Sequence, residues 1–135
     1  ANVTRVKGAL GYVEYAYVKK NNMTFLQLQN ADGKYVSPDD ATFAAAAASA
    51  DWFSVPGMGI SMVNAKGANS WPVSTASFIL MYADPADKAQ SAEVLKFFDW
   101  AFKNGKTMAA DLDYVPLPDT LTAQIRSKVW SQIKK

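Results

Sequence analysis

Residues 70–82, SWPVSTASFILMY, decide how the chain is read, because they begin as a polar turn and end as an apolar run. Pro72 has no amide donor and is tolerated at the start or edge of a strand. Phe78-Ile79-Leu80-Met81 has no polar position, the pattern of a strand covered on both faces. A chain that passes between such environments over so short a distance is expected to change its structural neighbours along it.

The totals around this stretch narrow the function classes. With 135 residues, 50% of them hydrophobic and 19% charged, the chain is long enough to bury a core. Its 14 basic and 12 acidic residues leave a net charge of +2, and Lys and Arg are scattered singly or in pairs. That distribution lacks the basic tract that nucleic acid or an anionic membrane selects. The absence of Cys and His removes thiolate nucleophiles, disulfides, imidazole bases and nearly all zinc or haem ligation, and no cofactor is expected. The longest mainly apolar stretch, residues 76–83, is far shorter than the ~20 residues needed to cross a bilayer. The chain begins Ala1-Asn2-Val3, without Met or a signal-peptide pattern, so it reads as processed or truncated. Val3 and Val6 resemble the tail of an amphipathic element.

Upstream of the deciding stretch, Gly8-Ala9-Leu10-Gly11-Tyr12-Val13 reads as a turn feeding a strand, and residues 14–22 as a helix. Residues 25–29 alternate in part like a half-buried strand, Ala31-Asp32-Gly33-Lys34 supplies a hairpin turn, and Tyr35 and Val36 return. Ser37-Pro38-Asp39-Asp40 is the clearest helix start, with Ser37 as cap and Pro38 as first helical residue. The Ala-rich residues 44–50 continue that helix and pack closely through small side chains. Between residues 56 and 69 the composition loosens, with a strand suggested by Met58, Ile60, Met62 and Val63 and a turn at Asn64-Ala65-Lys66-Gly67.

Downstream, Asp84-Pro85 caps a second helix that runs through Val94, Leu95, Phe97, Phe98, Trp100, Ala101 and Phe102 to a stop at Gly105, and its apolar circumference predicts burial on more than one side. Residues 106–112 add a short helix. Pro118-Asp119 opens the last one, whose Leu121, Ile125, Val129 and Ile133 form one apolar stripe. Lys128, Lys134 and Lys135 sit where the dipole at its end favours cations. Strands interleaved with helices argue an α/β fold, without internal repeats.

Several stretches in order, Gly11-Tyr12-Val13-Glu14-Tyr15-Ala16-Tyr17, Trp71-Pro72-Val73-Ser74-Thr75 leading into Phe78-Ile79-Leu80, Glu93-Val94-Leu95-Lys96-Phe97-Phe98-Asp99-Trp100-Ala101, Asp111-Leu112-Asp113-Tyr114 and Leu117-Pro118-Asp119, closely resemble the C-terminal part of the periplasmic phosphate-binding proteins that serve the ABC phosphate importer. The resemblance implies a two-lobed venus-flytrap fold built of α/β lobes. Residues 1–70 are then the late part of one lobe, and residues 71–135 the return crossover and the helices completing the other. It also implies inorganic phosphate as ligand, ABC permease subunits at the membrane as partners, a periplasmic location and no enzymatic activity. The family's principal phosphate-contacting residues lie upstream of Ala1, so none carries over.

Within the chain, Ser74, Thr75 and Ser77 are weak candidates for ligand contact, since hydroxyls at a strand start more often satisfy nearby backbone groups. Arg5 and Arg126 are the only guanidinium groups, and an ion pair or a solvated face suits Arg126 better than an anion fork. Asp99, Asp111 and Asp113 lack a calcium-loop pattern and a partner for hydrolysis. Tyr12, Tyr15, Tyr17, Trp71 and Trp100 read as core or interface residues. An alternative is a related surface or secreted protein whose role is adhesion or assembly, distinguished by whether permease and ATPase genes adjoin the parent gene. On either reading the exposed faces are expected to seek the missing N-terminal portion or a second copy of the chain.

Overall fold

The computed structural model describes residues 2–134. Helices α1 (Asn2–Arg5) and α2 (Tyr15–Lys20) lead into the antiparallel hairpin of β1 (Leu28–Gln29) and β2 (Tyr35–Val36), in which Leu28 faces Val36. Then follow α3 (Asp40–Ser49), a 3-10 turn at Pro56–Met58, α4 (Lys88–Asn104), α5 (Lys106–Asp111) and α6 (Asp119–Gln124). A π-helical turn at Ile125–Val129 and a 3-10 turn at Trp130–Gln132 extend α6. The expected interleaving of strands with helices is therefore reduced, among the described residues, to one two-stranded hairpin in a mostly helical chain.

Helix α3 begins at Asp40 with Asp39, not Ser37, as its cap. The Asp39 carboxylate accepts from the Thr42 amide at 2.7 Å and the Thr42 hydroxyl oxygen accepts from the Asp39 amide at 3.0 Å. This reciprocal box needs a hydroxyl or carboxyl three residues after the cap. Thr42 meets that need for Asp39, while Ser37 takes part only through its carbonyl, which accepts from the Thr42 hydroxyl at 2.8 Å. For α4 the cap is likewise Asp87, which accepts from the Gln90 amide at 2.8 Å, and not Asp84, which pairs with Lys134 at 2.6 Å. Pro118 stands just before α6 rather than at its first position, and its carbonyl accepts from the Leu121 and Thr122 amides.

The core lies where α3, the loop after it and the start of α6 meet. Ala46, Ala47, Trp52, Met62 and Leu121 are buried together, with Phe53, Ile60, Leu117 and Ile125 packed against them. The Ala-rich tract of α3 packs as expected, its small side chains letting the Trp52 indole approach closely enough to donate to the Ala47 carbonyl at 2.8 Å. The apolar stripe of the last helix is present, fully buried at Leu121 and half-buried at Ile125, Val129 and Ile133.

Other expectations fail for one physical reason. Residues 78–81 do not form a covered strand; Leu80 is 93% exposed, and Phe78 and Ile79 are about half exposed. Residues 8–13 form no ladder, with Tyr12 fully exposed. Met58, Ile60, Met62 and Val63 form no strand, although Met62 is buried and Val63 faces outward. A strand is completed by hydrogen bonds to neighbouring strands, and the described residues supply no neighbours for these segments. Burial of α4 on several sides is also absent: only Ser91 and Leu95 are buried, while Phe97 and Trp100 are exposed.

The chain's accessible surface is 9575 Å². A compact monomer of 14.7 kDa is expected to expose about 6,900 Å². The excess agrees with the apolar faces left open on α4 and residues 78–82.

Candidate functional site

The best-organised polar cluster lies immediately ahead of the residues singled out near the crossover. Asn30 closes β1 and is 5% exposed. Its side-chain oxygen accepts from the amides of Asp32 and Lys34, shaping the hairpin turn, while its amide nitrogen donates to the carbonyls of Gly67 (3.1 Å), Ala68 (2.9 Å) and Ser70 (3.3 Å). The Asp32 carboxylate accepts from the Gly67 amide at 3.2 Å, and the buried Ser70 hydroxyl donates to the Lys66 carbonyl at 2.7 Å. Gly67 has φ +119, and a Cβ there would stand 2.8 Å from the Ser70 hydroxyl, so the turn requires glycine.

From this knot the chain is pinned onward. The Trp71 amide donates to the Thr42 carbonyl of α3, the Asn64 amide to the Pro72 carbonyl, and the Trp71 ring meets Phe43 edge-on at 6.3 Å. Phe43 in turn meets Tyr15, which also contacts Phe25. Tyr15 and Trp71 thus hold packing positions, whereas Tyr12, Tyr17 and Trp100 are exposed and do not belong to the core of this chain.

Ser74 is buried and its hydroxyl donates to the Trp71 carbonyl at 3.0 Å; Thr75 and Ser77 are exposed. The three candidates therefore do not converge on one point. Arg126 forms the expected ion pair, its Nε donating to Asp99 at 2.6 Å, with its guanidinium beside the stacked rings of Phe102 and Trp130, 5.7 and 5.9 Å from their centres. Lys103 also binds Asp99, and Lys103 and then Arg126 hold that carboxyl below its ordinary range. Asp113 pairs with Lys19, whose affinity for its proton rises in consequence. Glu14, hydrogen-bonded to Tyr114, raises the phenol's pKa, so α2 is tied to residues 113–114 on both sides. Arg5 is exposed on α1. Lys128 and Lys134 are engaged by side chains rather than by the helix dipole alone: Lys128 stands 4.4 Å from the centre of the Phe53 ring, and Lys134 reaches Asp84. Lys135 lies outside the described residues.

Among the described residues no group of His, Cys, Asp or Glu is arranged to hold a metal ion, and no helix is long and apolar enough to cross a membrane. Asn30 and Ser70 escaped the reading of the sequence. The available signal was the Asn one residue ahead of Ala-Asp-Gly-Lys, since Asn side chains bond the backbone two residues on and shape turns.

No protein-family profile matches the chain. It is 45% identical over 134 residues, 99% of its length, to the phosphate-binding protein PstS of Pasteurella multocida, and 41% identical over 98% of its length to that of Haemophilus influenzae. The phosphate-binding protein PstS of Xylella fastidiosa is 43% identical over 132 residues. The chain spans only 39%, 40% and 36% of the lengths of these relatives, respectively.

Proposed function

We propose that this chain is the C-terminal portion of a periplasmic phosphate-binding protein of the PstS kind, whose parent captures inorganic phosphate and delivers it to the permease subunits of an ABC importer. The observation that carries this reading is the similarity at 41% to 45% identity along essentially the whole chain. The relatives are named as binding proteins, and the parent is read as a carrier without enzymatic activity.

In this reading the fold of the parent is two-lobed, with residues 1–70 in one lobe and residues 71–135 crossing into the other. The excess surface and the unpaired run at residues 78–82 support it, because both are faces that the remainder of such a protein, or a second copy of the chain, would cover. Phosphate contacts come mainly from the remainder. Ser74 already donates its proton to Trp71, so that hydroxyl is not free to donate to an anion, and Arg126 gives its Nε–H to Asp99. Thr75 and Ser77 stay as the hydroxyls that the cleft would use, since they are exposed at the crossover.

Titration calorimetry with phosphate, and with sulfate as a control, tests the reading. Saturable phosphate binding by the parent, with weak or no binding by the 135-residue chain alone, is the expected result. Losing several charge-assisted hydrogen bonds of ~1.5 to 3 kcal/mol each removes micromolar affinity. A parent indifferent to phosphate would overturn the reading.

A further inference from the structure

Helix α2 is gripped at both ends by two consecutive residues from the far part of the chain. Glu14 stands at its N-cap yet makes no capping bond, unlike Asp39 before α3 and Asp87 before α4; its carboxylate accepts from the Tyr114 hydroxyl instead. In the last turn Lys19 forms an ion pair with Asp113 and stands 5.8 Å from the centre of the Tyr15 ring. A helix of 6 residues is too short to hold by itself, so these ties decide where it sits. Asp113 occupies an unusual place of its own. The Tyr114 amide donates to the Ala109 carbonyl and the Asp113 amide to that of Ala110, the two bonds of a Schellman turn that ends α5 and sets Asp113 at φ 62, where glycine is the usual residue. Asp adopts that angle less readily than Gly, and its carboxylate goes to Lys19.

We propose that Glu14 and Lys19, with Asp113 and Tyr114, are positioning residues that form a two-point clasp between the lobes, favouring the closed arrangement of the parent and so tightening its hold on phosphate. The proposal rests on the two-lobed reading above, which puts α2 in one lobe and residues 113–114 in the other. Opening parts the lobes and breaks both contacts, so the clasp stabilises the arrangement in which they are made. One exposed ion pair contributes little. Two contacts from neighbouring residues to one short helix act together, because the first brings the partners of the second to a high local concentration. Affinity follows the population of the binding-competent arrangement, so a bias lost at the clasp is read as weaker binding.

Asp113→Asn combined with Tyr114→Phe removes both contacts, while Asn accepts the left-handed angle and Phe keeps the ring. In the 135-residue chain, hydrogen exchange at the bonded amides of Val18 and Asn21 should quicken about tenfold in this double variant while the α4 amides keep their rates. In the parent, calorimetry with inorganic phosphate should find the dissociation constant raised about three- to tenfold. Lys19→Arg, which keeps the cation, should leave that constant alone. X-ray scattering from the phosphate-free parent should show a larger radius of gyration for the double variant. Unchanged exchange in α2, an unchanged radius, or an unchanged constant in a parent that binds phosphate would overturn the proposal. A parent that ignores phosphate yet expands when the clasp is cut would refute the ligand and leave the clasp standing, so the two failures are told apart.

Discussion

Replacing Trp52 by Phe isolates the interaction that closes the core. Helix α3 ends at Ser49, so the carbonyls of its last turn have no partner inside the helix, and no glycine follows to satisfy them. The Ser49 hydroxyl takes the Ala46 carbonyl at 3.0 Å and the Trp52 indole takes that of Ala47 at 2.8 Å. Ala47 and Trp52 are both buried, so water cannot replace the lost donor freely. A buried carbonyl left unsatisfied costs about 1–3 kcal/mol. The smaller ring adds roughly 1 kcal/mol for lost burial against Met62 and Leu121. Trp52→Phe should therefore destabilise the chain by about 2–4 kcal/mol, and Trp52→Ala by at least ~3–5 kcal/mol. Urea denaturation followed by circular dichroism at 222 nm reads both. If the Phe variant stays within about 0.5 kcal/mol of the parent sequence while the Ala variant unfolds easily, the indole hydrogen bond contributes nothing and the capping role assigned to Trp52 is refuted.

Four further outcomes are expected. Ser91 is buried in α4 with a hydroxyl that has no hydrogen-bond partner among the described residues, so Ser91→Ala should leave the midpoint unchanged or raise it; a loss above ~1 kcal/mol would mean the hydroxyl is bonded. Leu95→Ala should cost about 2–4 kcal/mol and more than Phe98→Ala, because Leu95 is buried and Phe98 only half so; the reverse order in thermal melts would show that α4 packs through its aromatic side. Asp99 has a lowered folded-state pKa, so its contribution is present above the unfolded value and lost as pH falls through the folded one; Asp99→Asn should flatten the decline of stability below about pH 4 and leave the slope near neutrality alone, as acid titrations of both proteins would show. Light scattering across a dilution series should find the isolated chain self-associating through its open apolar faces, and a monomer at every concentration would show that these faces need no cover.

Helices and turns were legible in the sequence because their signals are local. The Gly33 hairpin turn, the Gly105 stop and the period of Leu121, Ile125, Val129 and Ile133 involve residues within a few positions of one another, and helices α3 and α4 form near their expected places although their caps are Asp39 and Asp87 instead of Ser37 and Asp84. Even there the choice between neighbouring acids was tertiary. Asp84 is drawn away by Lys134, fifty residues on, which leaves Asp87 to cap α4. The ordered blocks around Trp71, Phe97 and Pro118 sufficed to place the chain beside its phosphate-binding relatives. What tertiary structure alone decided was burial and strand pairing. Phe78 to Met81 carries every local mark of a covered strand, yet it lies open, and Asn30, with no apolar or catalytic signature, holds together two loops far apart in the chain. A helix satisfies its backbone from within, whereas a strand and a buried amide are satisfied only by groups that the fold brings to them.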